Sequence, residues 1–255
     1  MKVAILAGGL GTRLSEETTL KPKPMVEVGG MPMLWHIMKI YGSYGYNEFV
    51  VALGYKGEII KDYFLNYHLM SSCLTVNTGT GEVDRHHQTS ENWTVHLLDT
   101  GPETNTGGRV KRVAEFIGDE PFMLTYGDGV GNVNIPALVE LHQSQNRMAT
   151  LTAVRPPARF GQMVLNDGRV IEFKEKPQIG EGWINGGFFV LQPEIVNYID
   201  GDQTSWEFDS LENIAAIGGL SAYEHHGFWQ SMDTLRDVNL LNRLWQEGNA
   251  PWKIW

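Results

Sequence analysis

The chain has 255 residues, 42% of them hydrophobic, and its 20 basic and 30 acidic side chains give a formal net charge of −10. So acidic a surface repels nucleic acids and anionic membranes, and we expect neither as a partner. No apolar run reaches the roughly 18 residues of a membrane span, and we expect no leader peptide before Val3. A lone cysteine, Cys73, precludes an internal disulfide and fits a reducing cytoplasm, and we expect its thiol to be buried.

The first two dozen residues predict a strand followed by an anion-binding loop. The apolar run Val3–Ala7 reads as a buried strand, and it leads into Gly8-Gly9-Leu10-Gly11-Thr12-Arg13 and then Lys21-Pro22-Lys23-Pro24. Glycines let the backbone approach a ligand, and amide groups in such a turn can donate to phosphate oxygens. The spacing is neither that of a dinucleotide fold nor that of a Walker loop. Arg13 and Lys23 would supply positive charge for a polyphosphate; a plain strand-to-helix turn is the alternative.

Apolar runs and helical periodicities then alternate along the chain. This alternation favours βαβ units and a mostly parallel sheet, with a ligand at the carboxyl ends of its strands. The predicted strands are Glu48–Leu53, Phe122–Thr125 and Ala149–Val154, and the predicted helices are Met33–Tyr44, Gly57–Tyr67 and Ile135–Gln145.

Two regions depart from this alternation of predicted strands and helices. The polar segment Ser71–Pro102, which contains His86-His87, is interpreted as a solvated loop or hairpin. Beyond Pro156, the short strands Met163–Leu165, Val170–Lys174 and Gly187–Leu191 predict an antiparallel addition beside the site. We expect one domain over residues 1–255, with a nucleotide-binding part (1–155) and a sugar-phosphate-binding and oligomerisation part (156–255).

Two aspartates are candidate metal ligands. Asp128 follows a buried-looking strand between Gly127 and Gly129, where it could hold a metal or simply cap its own turn. Asp233 precedes Thr234 and an apolar helical stretch, so it could belong to a helix N-cap. An acidic protein that binds a triphosphate is expected to recruit Mg²⁺.

The motifs together resemble the signature of the sugar-phosphate nucleotidylyltransferases, the nucleotide-sugar pyrophosphorylases. The likeness is carried by Leu6–Leu14 joined to Lys-Pro-Lys-Pro, by Tyr126-Gly-Asp-Gly129, by Glu175-Lys176-Pro177 and by Trp229-x-x-x-Asp233-Thr. It implies a Rossmann-like α/β fold, a mostly parallel mixed sheet flanked by helices with a small antiparallel sugar-binding elaboration.

The resemblance also assigns roles to individual residues. It implies catalytic roles for Arg13, Lys23 and Lys176, and a Mg²⁺ ion held by Asp128 and Asp233. The residues implied in nucleotide binding are Leu6, Gly8, Gly9, Gly11, Thr12, Arg13, Lys23, Gly108, Arg109 and Asp128. Those implied in sugar-phosphate binding are Tyr126, Glu175, Lys176, Asn185 and Gly186.

Within the family, Trp35-His-Ile-Met38 and Thr106-Gly-Gly-Arg109 are most similar to members that join CTP to glucose 1-phosphate. This likeness implies a homo-oligomer, a hexamer, whose nucleotide sugar serves surface-polysaccharide (O-antigen) synthesis. At Ser231 it leads us to expect a proline, an exchange that should alter loop stiffness more than chemistry. The alternatives are an enzyme of the same fold that uses UTP, dTTP or another sugar phosphate, and a non-catalytic regulatory subunit that binds a nucleotide sugar.

Overall fold

The computed structural model describes residues 1–88, 91–156, 162–166, 169–174 and 182–255. Its strands are β1 (Val3–Leu6), β2 (Glu27–Val28), β3 (Met31–Pro32), β4 (Glu48–Leu53), β5 (Ser72–Val76), β6 (Val83–Gln88), β7 (Thr94–Asp99), β8 (Phe122–Tyr126), β9 (Gly129–Gly131), β10 (Ala149–Val154), β11 (Gln162–Asn166), β12 (Arg169–Lys174), β13 (Ile184–Leu191), β14 (Leu220–His225) and β15 (Trp229–Ser231). Its α-helices are α1 (Ser15–Thr18), α2 (Met33–Ser43), α3 (Gly57–Leu65), α4 (Tyr67–Met70), α5 (Thr106–Ile117), α6 (Ile135–Gln145), α7 (Glu212–Ala216) and α8 (Leu235–Gln246). Short 3₁₀ turns cover Thr12–Leu14, Lys23–Met25 and Pro193–Tyr198, and a π-helical turn covers Trp206–Leu211.

A mixed central sheet confirms the predicted fold class. In the described part of the chain its strand order is β14-β10-β13-β8-β1-β4-β7, and every strand runs parallel to the others except β13, which is antiparallel to both neighbours. Leu6 pairs with Tyr126 at the carboxyl ends of β1 and β8. The loops that follow these two strands therefore emerge side by side, as the sequence predicts.

The core divides into two layers because alternate side chains of each strand face opposite sides of the sheet. On β1, Val3 and Ile5 join the layer beneath α2 and α8, whereas Ala4 and Leu6 join the layer beneath α5. All four are at most 9% exposed. Burial on both faces explains why the strand reads as a continuous apolar run.

Two of the sequence interpretations are wrong in part. The segment from Ser71 does form a hairpin, β5–β6, but β7 is a parallel edge strand of the central sheet and not a loop. Likewise, Gly187–Leu191 is not part of the antiparallel addition, because β13 lies between β8 and β10 in the central sheet. The addition that remains is the hairpin β11–β12.

The structure also corrects two local expectations. Cys73 is exposed on β5 and not buried. Aromatic residues near a chain end favour a subunit interface for Trp245, Trp252 and Trp255, but Trp252 is fully buried against the chain's own core and stacks on Phe228. No helix in the described residues is both long enough and apolar enough to cross a bilayer.

Candidate active site

A cavity of about 810 Å³ opens at the carboxyl ends of β1 and β8. It lies where the fold is expected to place a ligand, at the end of the sheet from which the loops of neighbouring parallel strands emerge. The residues predicted from the sequence that line it are Leu6, Gly8, Gly9, Gly11, Thr12, Lys23, Arg109, Tyr126, Asp128, Asn185 and Asp233. Distant parts of the chain therefore converge on one site.

The glycine loop, residues 8–12, is held in place by hydrogen bonds to its backbone carbonyls. The amide of Tyr55 donates to the carbonyl of Gly8 at 3.1 Å, and Thr18 Oγ1 donates to the carbonyl of Gly11 at 3.1 Å. A side chain at Gly8 would place its Cβ only 2.3 Å from Nη1 of Arg109. The loop thus follows a fixed path along the cavity wall, and glycine at position 8 makes room for the guanidinium.

Arg109 forms the support for this loop. Its Nη1 donates to the carbonyl oxygens of Leu53 and Gly101 at 3.0 and 2.8 Å and to Thr100 Oγ1 at 2.6 Å. The side chain is only 4% exposed, although it contributes to the cavity lining. The structure thus ties Arg109 to the chain's own backbone.

Gly108, the other residue predicted at this position, does not contribute to the lining. A Cβ there would lie 2.7 Å from the Cα of Asp202 and 2.7 Å from Cγ2 of Thr104. Its observed role is the close packing of α5 against residue 202, and nucleotide binding by Gly108 stays a prediction.

Lys23 joins the two predicted metal ligands. Its ammonium Nζ lies 2.6 Å from Asp128 Oδ2 and 2.7 Å from Asp233 Oδ1, although these residues are 105 and 210 positions away from it. Burial alone would lower the pKa of Lys23, but the two carboxylates outweigh that effect and raise it above its ordinary value. Lys23 is therefore a cation held between two anions at the cavity wall.

A short antiparallel ladder brings the two aspartates together. β9 begins one residue after Asp128, and β15 ends two residues before Asp233. Gly129 pairs with Ser231 in this ladder, and the amide of Met232 donates to the carbonyl of Asp128 at 2.7 Å. The register therefore places both carboxylates at the same end of the ladder, facing Lys23.

The first turn of α8 fixes the backbone of Asp233 by a hydrogen bond. Thr234 and Asp237 form a capping box, and Asp237 Oδ2 also accepts a hydrogen bond from the amide of Asp233 at 3.1 Å. Ser231 Oγ donates to Asp233 Oδ2 at 3.0 Å. The N-cap alternative is thus realised by Thr234 and not by Asp233. Ser231, expected to alter loop stiffness more than chemistry, contacts the carboxylate directly.

A second group in the cavity consists of a tyrosine, an amide and a carboxylate in contact. Tyr126 Oη donates to Glu207 Oε1 at 2.7 Å and accepts from Asn185 Nδ2 at 3.1 Å. Burial, together with the charge and hydrogen bond of Glu207, raises the pKa of Tyr126 above its ordinary value. The phenol stays protonated, and the group offers both donors and acceptors to a polyhydroxylated ligand.

Glu207 is a site residue that the sequence analysis missed. It lies in the π-helical turn after Ser205, and its Oε2 accepts from Thr106 Oγ1 at 2.7 Å. The sequence shows only a carboxylate between two aromatic residues, of which the structure buries Trp206 fully and leaves Phe208 75% exposed. Glu207 lies 81 positions from Tyr126, and no local spacing links the two.

Trp229 is a further residue of the cavity wall. Its indole Nε1 donates to the carbonyl of Gly186 at 2.8 Å, and its side chain lines the cavity. Gly186 itself is not among the lining residues; a Cβ there would lie 2.6 Å from Val154. Its predicted contact with sugar therefore stays a prediction.

Three predicted residues fall outside what the structure describes in full. Arg13 lies in the turn Thr12–Leu14, but its side chain is outside the described part of the chain. Glu175 and Lys176 lie wholly outside the described residues. Their assigned roles remain predictions.

The donor set at Asp128 and Asp233 fits a magnesium ion that also binds a polyphosphate. No group of three or more His, Cys, Asp or Glu residues that could hold a metal occurs in the described part of the chain. Mg²⁺ in phosphate-transfer sites takes one or two carboxylates and completes its shell with phosphate oxygens and water. Two carboxylates that already share one cation, Lys23, match that pattern.

Comparison with known proteins gives consistent results over the full chain. The family model described as nucleotidyl transferase matches residues 2–229. The chain is 53% identical to a glucose-1-phosphate cytidylyltransferase of Salmonella typhimurium and 46% identical to a probable glucose-1-phosphate cytidylyltransferase of Bacillus subtilis, over 100% of each chain. The solved structure of HddC from Yersinia pseudotuberculosis shares the fold, with a TM-score of 0.70 at 24% identity over 96% of this chain and 99% of that one.

Proposed function

Because the chain belongs to the nucleotidyl transferase family, we propose that it transfers the cytidylyl group of CTP to α-D-glucose 1-phosphate, forming CDP-glucose and pyrophosphate. The observation that carries nucleotidyl transfer is the convergence of Lys23, Asp128 and Asp233 beside the glycine loop in one cavity. The choice of CTP and glucose 1-phosphate is supported by the names of the two full-length relatives.

The proposed reaction is an in-line displacement at the α-phosphorus of CTP. An oxygen of the sugar phosphate forms the new O–P bond, and the bond to the β-phosphate breaks so that pyrophosphate leaves with its electron pair. The attacking oxygen is already anionic at neutral pH, so no general base is needed. The enzyme's task is to align two anions and to offset their repulsion.

Asp128 and Asp233 would hold Mg²⁺, which neutralises phosphate charge when bound. Lys23 would bind phosphate near the α position, and the amides of the glycine loop would donate to phosphate oxygens. Arg13 would stabilise charge on the leaving pyrophosphate. Lys176, with Glu175 beside it, would steer the sugar phosphate into line.

The sugar is proposed to lie against Tyr126, Asn185 and Glu207. These groups sit in the same cavity as Lys23 and combine a protonated phenol, an amide and a carboxylate. Sugar hydroxyls donate and accept hydrogen bonds, so a mixed donor and acceptor set suits them. Leu6, Gly9 and Thr12 lie on the glycine-loop wall, where the nucleotide is expected.

We also propose that the enzyme acts in the cytoplasm as a homo-oligomer, a hexamer by resemblance to its family. Residues 1–155 would form the nucleotide-binding part, and residues 156–255 the part that binds sugar phosphate and mediates oligomerisation. Both parts contribute to the cavity, since Lys23 and Asp128 belong to the first part and Asn185 and Asp233 to the second.

The proposal is tested by ³¹P NMR of the enzyme with CTP, Mg²⁺ and either glucose 1-phosphate or mannose 1-phosphate. We expect paired diphosphate resonances of CDP-glucose with glucose 1-phosphate and little product with mannose 1-phosphate. Lys23→Ala should lower turnover by about 10²–10³-fold, because one preorganised cation is lost. Equal product from both sugars would refute the sugar assignment, and unchanged turnover in Lys23→Ala would refute the role of Lys23.

A further inference from the structure

The carboxylate pair that is proposed to hold the metal is already occupied by a side chain of the protein. Lys23 Nζ lies within hydrogen-bond distance of one oxygen from each aspartate, at 2.6 Å and 2.7 Å. The lysine side chain is only 12% exposed, so this is a partly buried contact and not a loose surface pair. In this position the ammonium contacts one oxygen of each carboxylate, and the second oxygen of Asp233 already accepts a hydrogen bond from Ser231 Oγ.

Two cations cannot share this position. Mg²⁺ binds carboxylate oxygens at about 2.0–2.1 Å, closer than an ammonium does. A metal between Asp128 and Asp233 would therefore lie against the Lys23 ammonium, and the two positive charges would repel each other strongly in a partly buried site. The metal can enter only if Lys23 moves to another anion.

We propose that Lys23 and the metal ion exchange places when the nucleotide binds. Without nucleotide, Lys23 neutralises the two carboxylates and keeps free metal out. A triphosphate gives the ammonium a new anionic partner, and the metal that arrives with the nucleotide takes over the carboxylates. The enzyme therefore takes up metal as a metal–nucleotide complex and not as the free ion. This inference rests on the metal role of the two aspartates in the proposed function.

The backbone around Lys23 is suited to such an exchange. Lys23 opens the turn Lys23–Met25 between Pro22 and Pro24, and the amide of Met25 donates to the carbonyl of Pro22 at 2.8 Å. Prolines fix the backbone on either side. The exchange thus needs only rotation of a long, unbranched side chain.

One of the two carboxylates, that of Asp233, is held by contacts that do not involve Lys23. Ser231 Oγ donates to Asp233 Oδ2 at 3.0 Å, and Asp237 accepts from the Asp233 amide at 3.1 Å. These contacts remain when the ammonium leaves. Asp233 is therefore prepositioned for the metal, and Lys23 is the part that moves.

The test measures Mn²⁺ binding, by calorimetry and by the EPR signal of free Mn²⁺, and does not depend on turnover. Three proteins are compared without nucleotide: the native enzyme, Lys23→Met, and Lys23→Met combined with Asp128→Asn. We expect Lys23→Met to bind one Mn²⁺ per chain about tenfold or more tightly than the native enzyme. The double variant should lose that gain, which would locate the new site at the carboxylate pair.

A second measurement uses the native enzyme alone, so the proposal stays falsifiable if Lys23→Met does not fold. With CTP but no sugar phosphate, the native enzyme should bind one Mn²⁺ per chain that it does not bind without CTP. Equal Mn²⁺ affinity in the native enzyme and Lys23→Met, or tight binding to the native enzyme without nucleotide, would overturn the exchange. Failure of the proposed function is a separate result, since it appears as absence of CDP-glucose in the NMR assay.

Discussion

At the scale of single residues, Arg109 shows how a buried charged side chain can support the wall of a cavity that it also helps to line. The sequence places Arg109 after two glycines at a helix start, a position typical of anion contact. In the structure its guanidinium is bonded to the carbonyls of Leu53 and Gly101 and lies directly behind Gly8. Arg109 thereby fixes the wall on which the nucleotide is proposed to lie.

Gly8→Ala and Gly9→Ala form a matched pair that tests this arrangement. A Cβ at Gly8 would lie 2.3 Å from Arg109 Nη1, whereas a Cβ at Gly9 would meet nothing within 4 Å. Gly8→Ala should lower the free energy of unfolding by about 2 kcal/mol, since the buried guanidinium must shift. Gly9→Ala should leave that free energy unchanged within about 0.5 kcal/mol.

Urea denaturation measures both free energies of unfolding. The KM for CTP distinguishes a residue that the packing of the loop requires from one that contacts the nucleotide. If Gly9 approaches the nucleotide, Gly9→Ala raises KM while stability is unchanged. Equal destabilisation by the two variants would contradict the supporting role given to Arg109.

At the scale of elements, the ladder β9–β15 and the first turn of α8 position Asp128 and Asp233. Asp237 accepts hydrogen bonds from the amides of Asp233 and Thr234 and from Gln230 Nε2. One carboxylate therefore links the strand, the loop that carries Asp233 and the helix. The same residue would read from sequence simply as a helix cap.

Asp237→Ala should weaken the enzyme's use of metal. Loss of the bond to the Asp233 amide frees that carboxylate, and we expect the Mg²⁺ concentration for half-maximal rate to rise about 10–100-fold. Thr234→Ala is the control, because it removes the N-cap side chain at a cost of about 1 kcal/mol but keeps the Asp237–Asp233 contact. A similar rise in the Mg²⁺ requirement for both variants would show that helix capping alone is responsible.

The elements also show what sequence patterns can and cannot predict. β4 and β10 match their predicted bounds because each is one largely buried, mostly apolar run, and α6 matches because Asn134 and Pro136 mark its start. β7 was missed because an edge strand is only half-buried, and Thr94, His96 and Asp99 make it read as polar. The insertion of β13 between β8 and β10 depends on pairing between distant segments, which no local pattern encodes.

The same distinction between local patterns and long-range pairing applies to the residues of the site. The glycine loop and Asp128 were predictable because each follows an apolar strand directly. The contact of Lys23 with Asp233 spans 210 positions, and Glu207 reaches Tyr126 across 81. Such contacts come from the topology of the whole sheet, so the sequence could name some of these residues but not their arrangement.

At the scale of the whole molecule, the C-terminal segment closes the core around a neutral histidine. His36 is fully buried, its Nε2 hydrogen-bonds the carbonyl of Val28 at 2.8 Å, and its Nδ1 accepts from Trp252 Nε1 at 3.3 Å. Burial lowers the pKa of His36 to about 4, and burial also lowers the pKa values of His142 and His225. These three groups fold in the neutral form.

The fold should therefore lose stability in acid. A histidine whose folded-state pKa is depressed contributes fully above its unfolded value, about 6.5, and loses that contribution as pH falls towards about 4. The depressed pKa of His36 alone should lower the free energy of unfolding by about 2 kcal/mol as the pH falls from about 7.5 to about 5. Between about pH 7.5 and pH 5, the free energy of unfolding of His36→Gln should fall by about 2 kcal/mol less than that of the native protein. An unchanged pH dependence in the variant would show that His36 is not the titrating group.

The central claim is that this site transfers a cytidylyl group to glucose 1-phosphate. The most direct measurement is pyrophosphate release with glucose 1-phosphate and Mg²⁺, with CTP, UTP, dTTP, ATP and GTP tested in parallel. The account predicts release with CTP and little with the other four. Release with UTP or dTTP in preference to CTP would contradict the cytidylyl assignment while leaving the transfer chemistry intact, and silence with all five would contradict the proposed reaction itself.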